Sequence, residues 1–427
     1  MAALGASNLL RFGASLLQTR LLMPEHFGVM AIVTAIVVGL HLFSDIGVGP
    51  SIVQSPRGDD PVFLDTAWTI QFVRGTLVWL VASLLAWPLA LLYHEPRLAT
   101  LLPVASLSAV IDGLASTRLH RENRRLSFGR VIAVELGSQL TNLTTLLLVA
   151  WATRSIWALV AGGLAAACAR TVLSHAIIAG PRHRVAWDAD SRRAILDFGR
   201  WIFVSTALTF LATQSDRLLL GALVGPERLG VYGLAANLAA IPTMIIGQLA
   251  SKVLYPVVAS AMRDHRFDAA RMQRARVKVL LLLAPLLALA IAAVGPFLRW
   301  AYDPRYEAVG SLTALLLLGT WVGALSSSYA TVLLAAGRPK LTSAGQATKT
   351  VLFAAAVGLV APRFGLTGVA LVVSLSELGM LAVAMLGCRR LQVLTLRAGL
   401  ATDLALTAVG AACLLLFFGL RRLLGLT

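Results

Sequence analysis

Cysteine, acidic side chains and long polar connections are all scarce in this chain. Its three cysteines, Cys168, Cys388 and Cys413, stand in or beside apolar stretches without a Cys-x-x-Cys pair. That pattern excludes a disulfide framework and a thiolate metal site. Charged residues make up 13% of 427 positions, and Asp plus Glu number only 20. No P-loop, His-Glu-x-x-His pair or nucleophile elbow occurs, so neither catalysis nor a metal or other cofactor is expected. The short connections leave no room for a folded domain outside the apolar segments, which argues against a lipid-linked glycosyltransferase or polymerase.

What is abundant is apolar surface: 58% of residues are hydrophobic and the mean hydropathy is +0.80. Apolar stretches of about twenty residues read as transmembrane helices. The sequence places thirteen, roughly at 1–22, 27–54, 62–92, 97–118, 127–151, 155–180, 191–222, 226–262, 274–299, 307–336, 340–361, 365–388 and 397–419. The opening segment keeps Arg11 and Gln18 and lacks a small-residue cleavage motif, so it reads as a first span and not a signal peptide. The net charge of +17 would suggest nucleic acid in a soluble protein; here the membrane explains it. Alternating the turns puts 21 of the 37 Lys and Arg on one side and nine on the other. The positive-inside rule then sets the N-terminus in the cytoplasm.

The chain also repeats itself. Pro24, Glu25, Gly28 and Val29 recur as Pro226, Glu227, Gly230 and Val231, displaced by 202 positions. Pro88, Pro96 and Arg97 recur as Pro296, Pro304 and Arg305, displaced by 208. In each Pro-Glu-x-x-Gly turn, proline starts a helix, glutamate complements its positive end and glycine permits close packing. Six spans separate the copies, so both halves share one orientation, a parallel repeat. The expected fold is an all-α integral membrane protein of two pseudo-symmetric six-helix bundles around a central cavity, plus at least one extra C-terminal helix. The expected parts are an N-terminal lobe over 1–180, a cytoplasmic linker over 181–190, a second lobe over 191–388 and an added segment over 389–427.

Setting aside the 21 and nine assigned to the turns leaves seven of the 37 basic residues inside spans: Arg11, Arg74, Arg170, Arg200, Arg217, Lys252 and Lys349. An unpaired cation at a helix centre costs about 2.5–3.5 kcal/mol on insertion scales, so each needs a partner or water. Arg200 and Arg217 lie near span ends, where snorkelling or Asp216 suffices. Arg11 continues a polar stripe with Asn8, Ser15 and Gln18, and Arg74 one with Trp68 and Gln71. Arg11, Arg74 and Arg170 either pair with Asp45, Asp112 and Glu135 or line a cavity for an anionic substrate, and the two are not exclusive. Lys252, following Asn237 and Gln248, and Lys349, following Ser343 and Gln346, are the second lobe's contributions. Ser326 to Tyr329 read as packing residues. His41 and Asp45, one turn apart, have the spacing of a proton relay or of a plain helix-face hydrogen bond; with Asp112 and Glu135 they are candidates for ion coupling.

The Arg20-Leu-Leu-Met-Pro-Glu-His-Phe-Gly-Val-Met30 turn, the Asp45-Ile-Gly-Val-Gly-Pro-Ser-Ile-Val-Gln54 helix end and the Phe198-Gly199 to Asp216-Arg-Leu-Leu-Leu-Gly221 span resemble one known group. So do Leu223 to Tyr232 and Leu334-Ala-Ala-Gly-Arg-Pro-Lys340. This is the polysaccharide transporter (Wzx-like flippase) branch of the multidrug/oligosaccharidyl-lipid/polysaccharide exporter superfamily. Its members often have twelve or fourteen spans, so thirteen departs from the pattern. The resemblance implies two bundles with alternating access, translocating undecaprenyl-diphosphate-linked oligosaccharide across the bacterial inner membrane for surface polysaccharide export. It also implies membrane lipids as neighbours, with a polysaccharide polymerase and export machinery as candidate partners, and no nucleic acid. Arg11, Arg74, Arg170, Lys252, Lys349, Gln18 and Gln71 would form the substrate site. The rival readings are a cation-coupled small-molecule exporter, a lipid II flippase and a scaffold for polysaccharide assembly.

Overall fold

The computed structural model describes residues 13–125, 127–178, 180, 183–249, 258, 269–390 and 396–423, without the side chains of 128, 198–205, 207–209, 212, 245, 248–249, 269, 271, 275, 396–398 and 420–423. A short helix over residues 13–21 (α1) leads into α2, Pro24–Phe43. There follow α3 (Val48–Gln54), α4 (Pro61–Leu92), α5 (Leu98–Gly113), α6 (Arg118–Arg124), α7 (Phe128–Thr153), α8 (Trp157–Ile177), α9 (Ala189–Val224) and α10 (Pro226–Leu249). After these come α11 (Ala269–Ala301), α12 (Ala308–Ala335), α13 (Pro339–Arg390) and α14 (Leu396–Leu423).

The helix starts follow the turn chemistry. Pro24 opens α2 with Glu25 in the first turn, and Pro226 and Glu227 do the same for α10. Asp60 caps α4 by accepting from the Val62 N–H at 3.0 Å, and Asp188 caps α9 by accepting from Ser191 N at 2.9 Å. Among the described residues, eight helices are long and apolar enough to cross a membrane, or nine if the bent α5–α6 pair is one span. One of the eight is α13, which is broken at Gly365 (φ 57°, ψ −148°). Its two arms fold back on each other: Gly345 faces Met380, and Lys349 Nζ pairs with Glu377. This hairpin supplies both spans expected over 340–388.

Three expected spans end differently. The stretch over 27–54 is not one helix. Asp45 Oδ1 accepts from Gly47 N at 2.9 Å, and Gly47 takes a left-handed φ of 66° that residues with a side chain rarely adopt. The stretch over 97–118 stops at Gly113 and resumes as α6 after a 60° bend. The span expected over 274–299 starts earlier, since α11 already begins at Ala269, and it carries Arg274, Arg276 and Lys278 inside the helix. Its Ala, Met, Gln and Arg residues are good helix formers.

The chain divides into two compact units, Met1–Leu229 and Gly230–Thr427. In the first, α4 packs along α5 and α7 along α8, while α2 lies against α9. The α4–α5 crossing is close because Gly75 has no side chain: a Cβ there would collide with the backbone carbonyl of Ala109. In the second unit, α12 packs on both α11 and α13, and α14 packs on α11.

Candidate functional site

Two adjoining cavities open inside the first unit. The polar one, of about 360 Å³, is lined by His41, Asp45, Gln71, Arg74, Asp112, His120 and Arg170, among others. The broken ends of α2 and α5 create it. The Asp45 carboxylate, past the end of α2, accepts from both Gly47 N and, at 3.2 Å, Arg74 Nη1 of α4. Arg74 is not fully satisfied by this pair, because its Nε is buried without a hydrogen-bond partner. Arg170, exposed on α8, acts electrostatically on Asp112 and His120. The Asp112 Oδ1 is likewise buried and unpartnered. Asp112 and Arg170 also line a second, more apolar chamber of about 330 Å³, bounded by Thr34, Val37, Ser108 and Ser138.

At the bend after Gly113 the last turn of α5 tightens, with Leu114 N donating to Ile111 O and Ala115 N to Asp112 O, both at 3.1 Å. Side chains add further donors. Gln71 Nε2 donates to Asp112 O at 3.0 Å, Trp68 Nε1 to Leu114 O at 3.1 Å and Thr171 Oγ1 to Ile111 O at 2.8 Å. The Trp68–Gln71–Arg74 stripe thus has two jobs: two members cap a broken helix and the third reaches into the cavity. Beneath it lies the extended segment 183–188. His183 Nδ1 is 2.8 Å from Asp65 Oδ1 and its Nε2 is 2.9 Å from Ser116 Oγ. Its ring stacks on Trp68, the centroids 5.8 Å apart. Ala186 N donates to Thr69 Oγ1 and Asp188 N to Thr66 Oγ1. The segment is therefore strapped along one face of α4. Burial pushes the His183 imidazole below its ordinary value, with Asp65 opposing and Arg118 and His175 adding to the effect. Asp188 and Asp190 have an Asp-x-Asp spacing, but Asp188 is committed to capping α9 and to Arg57 at 3.6 Å.

The remaining expected site residues are distributed as follows. Gln18 lies half-buried in α1 and lines neither cavity. Glu135 is exposed on α7 and lines neither. Lys349 belongs to the second unit and is paired with Glu377 across the α13 hairpin. Arg11 and Lys252 lie outside the described residues. The sequence reading passed over His120, whose only signal was its place in a basic turn that proves to be the α6 helix. It also passed over Asp403. That carboxylate accepts from Arg276 Nη2 at 2.5 Å and from Tyr329 Oη at 3.0 Å, while Arg276 Nε donates to Ser328 Oγ at 2.7 Å. Arg276, Ser328 and Tyr329 are therefore members of a buried polar network. At the far end of the first unit, Arg97 holds both Glu95 and Glu25. The hydrogen bond from Arg97 keeps the Glu95 carboxyl below the usual carboxylate range, against the opposing effect of burial.

This is a multi-pass membrane protein with the helical fold of the flippase and multidrug-transporter superfamily. Its structure is similar to an inward-closed lipid II flippase MurJ, with a TM-score of 0.71 at 14% identity, covering 98% of this chain and 99% of that one. It is similar to an inward-facing multidrug resistance MATE family transporter at 0.70 and 12%, covering 94% of each. The chain belongs to the polysaccharide biosynthesis protein family, whose pattern matches residues 17–310. Among curated relatives, it is 27% identical to the amylovoran biosynthesis protein AmsL of Erwinia amylovora over 59% of this chain and 66% of that protein. It is 22% identical to the lipopolysaccharide biosynthesis protein WzxC of Escherichia coli over 82% and 72%. To the teichuronic acid biosynthesis protein TuaB of Bacillus subtilis it is 21% identical over 70% and 62%.

Proposed function

We propose that this protein is a flippase that carries a polyprenyl-diphosphate-linked oligosaccharide, of the undecaprenyl type, from the inner to the outer leaflet of a bacterial inner membrane. The observation that carries this reading is the meeting of Arg74 and Arg170 on one polar cavity inside an apolar helical unit. A diphosphate is matched by guanidinium forks that bind its oxygens in pairs. The pair Arg74–Asp45 does not oppose the assignment: an acidic partner holds the cation until the cargo arrives, and the free Nε keeps one donor in reserve. Membership in a polysaccharide biosynthesis family supports a glycan cargo.

In this reading the N-terminus is cytoplasmic, and the lobes of residues 1–180 and 191–388, joined by the linker 181–190, alternate access to the cavity. Arg11, Lys252, Lys349, Gln18 and Gln71 are secondary contributors. His41, Asp45, Asp112 and Glu135 remain the coupling candidates. Membrane lipids hold the polyprenyl tail, and a polymerase with its export machinery takes the glycan. Moving an anion outward across an inside-negative potential is favourable by roughly 2.3 kcal/mol per charge per 100 mV. The test is replacement of Arg74 and of Arg170 by alanine in cells, with membrane abundance verified. Surface polysaccharide should fall and lipid-linked oligosaccharide accumulate on the cytoplasmic leaflet. Unimpaired export in both variants removes the site.

A further inference from the structure

The two chambers differ in the hydrogen bonds they still have to offer. The polar cavity is rich in donors and positive charge: Arg74, with its unpartnered Nε, and Arg170. The adjoining chamber is mostly apolar and shares Arg170 and Asp112 with the first; what it adds is acceptors. Ser108 Oγ already donates to Ala105 O at 2.7 Å, and Ser138 Oγ to Glu135 O at 2.9 Å. Each hydroxyl has spent its one proton on its own helix, so it meets a ligand with lone pairs. Asp112, one turn beyond Ser108 on α5, adds a buried carboxylate oxygen with no hydrogen-bond partner.

An unpaired carboxylate oxygen beside an anion site would repel the anion and stay unsatisfied unless the ligand itself brings a donor. Neither a diphosphate nor a polyprenyl chain carries a hydroxyl or N–H at neutral pH. A sugar carries several, a few bonds from the phosphorus. Resting on the flippase reading above, we propose that Asp112 accepts a hydroxyl of the first sugar of a glycosyl diphosphate, and that the chamber bounded by Ser108 and Ser138 seats that sugar. Asp112 then discriminates a loaded lipid carrier from a bare one, the specificity a flippase needs where unglycosylated diphosphate carrier shares its membrane. The chamber's volume of about 330 Å³ accommodates one hexose, so the selection bears on the first residue and leaves the rest of the glycan free.

The test compares two probes on the purified full-length protein in lipid nanodiscs: farnesyl diphosphate and farnesyl-diphosphoryl-glucose. A hydrogen bond to a charged acceptor is worth roughly tenfold or more in affinity. The wild-type protein should therefore bind the glucosylated probe about tenfold more tightly than the bare one. Asp112→Ala should erase that ratio. Asp112→Asn, which keeps an acceptor oxygen and the side chain's shape, should retain an intermediate ratio and serves as the folding control. If both variants tighten both probes equally, Asp112 acts only by repelling the anion and the sugar assignment is wrong. Equal binding of the two probes by wild type overturns it as well, while leaving the diphosphate reading intact. Failure to bind either probe overturns both.

Discussion

Replacing Asp403 tests whether the second unit is held together as the structure describes. Arg276 on α11 and Asp403 on α14 are 2.5 Å apart, with side chains 2% and 8% exposed. Tyr329 and Ser328 of α12 complete the shell, and the Arg276 guanidinium lies 4.0 Å from the centre of the Tyr329 ring. Three helices thus share one polar knot. Asp403→Ala leaves the arginine buried with only a hydroxyl and an aromatic face, and Arg276 Nη1 already lacks a partner. Breaking a buried pair from one side costs about 3–5 kcal/mol, whereas replacing both members by apolar residues is often neutral. The double variant Arg276→Met with Asp403→Leu should therefore be more stable than Asp403→Ala. Thermal unfolding of the purified protein in detergent, followed by intrinsic tryptophan fluorescence, measures both. A single variant as stable as wild type, or a double variant worse than the single, would refute the argument.

Two further outcomes follow from the first unit. His183 has its imidazole pushed below the ordinary value of 6.5 by burial, with Asp65 opposing and Arg118 and His175 reinforcing. The unfolded chain therefore takes up this proton more readily than the folded one, and stability should fall as pH drops through and below about 6.5. Thermal unfolding between pH 8 and 5 should show that slope, and His183→Gln should flatten it. Gly75→Val would drive a side chain into the Ala109 carbonyl, costing about 1–3 kcal/mol by overpacking. It should lower the melting temperature even though valine suits a membrane helix; an unchanged melting temperature would show that α4 and α5 separate freely.

How much of this was legible beforehand depended on whether the signal was local. Proline at a helix start, an acid in its first turn and a glycine inside it are local chemistry, and both Pro-Glu-x-x-Gly turns begin helices as read. The arginines of spans three and six stood out because a cation in an apolar run is conspicuous, and Arg74 and Arg170 do share a cavity. The helix breaks were harder to see. An Asp-x-Gly sequence in an apolar run looks like one more turn of helix, until the aspartate is found accepting from the glycine N–H and from an arginine 29 positions away. His183 and Asp65, 118 positions apart, and Arg276 and Asp403, 127 apart, carry no mark in sequence, because their pairing is a property of packing and not of spacing. Gln71 shows the converse: its polar stripe was plain, but its amide nitrogen serves the carbonyls of a neighbouring helix end.

The most direct test of the central claim is an experimental structure of the protein bound to a polyprenyl diphosphate in a lipid bilayer. Phosphate oxygens should lie about 2.7–2.9 Å from the guanidinium nitrogens of Arg74 and Arg170, the spacing of charge-assisted hydrogen bonds. Diphosphate density elsewhere, with Arg74 still held by Asp45 and Arg170 facing only solvent, would contradict it.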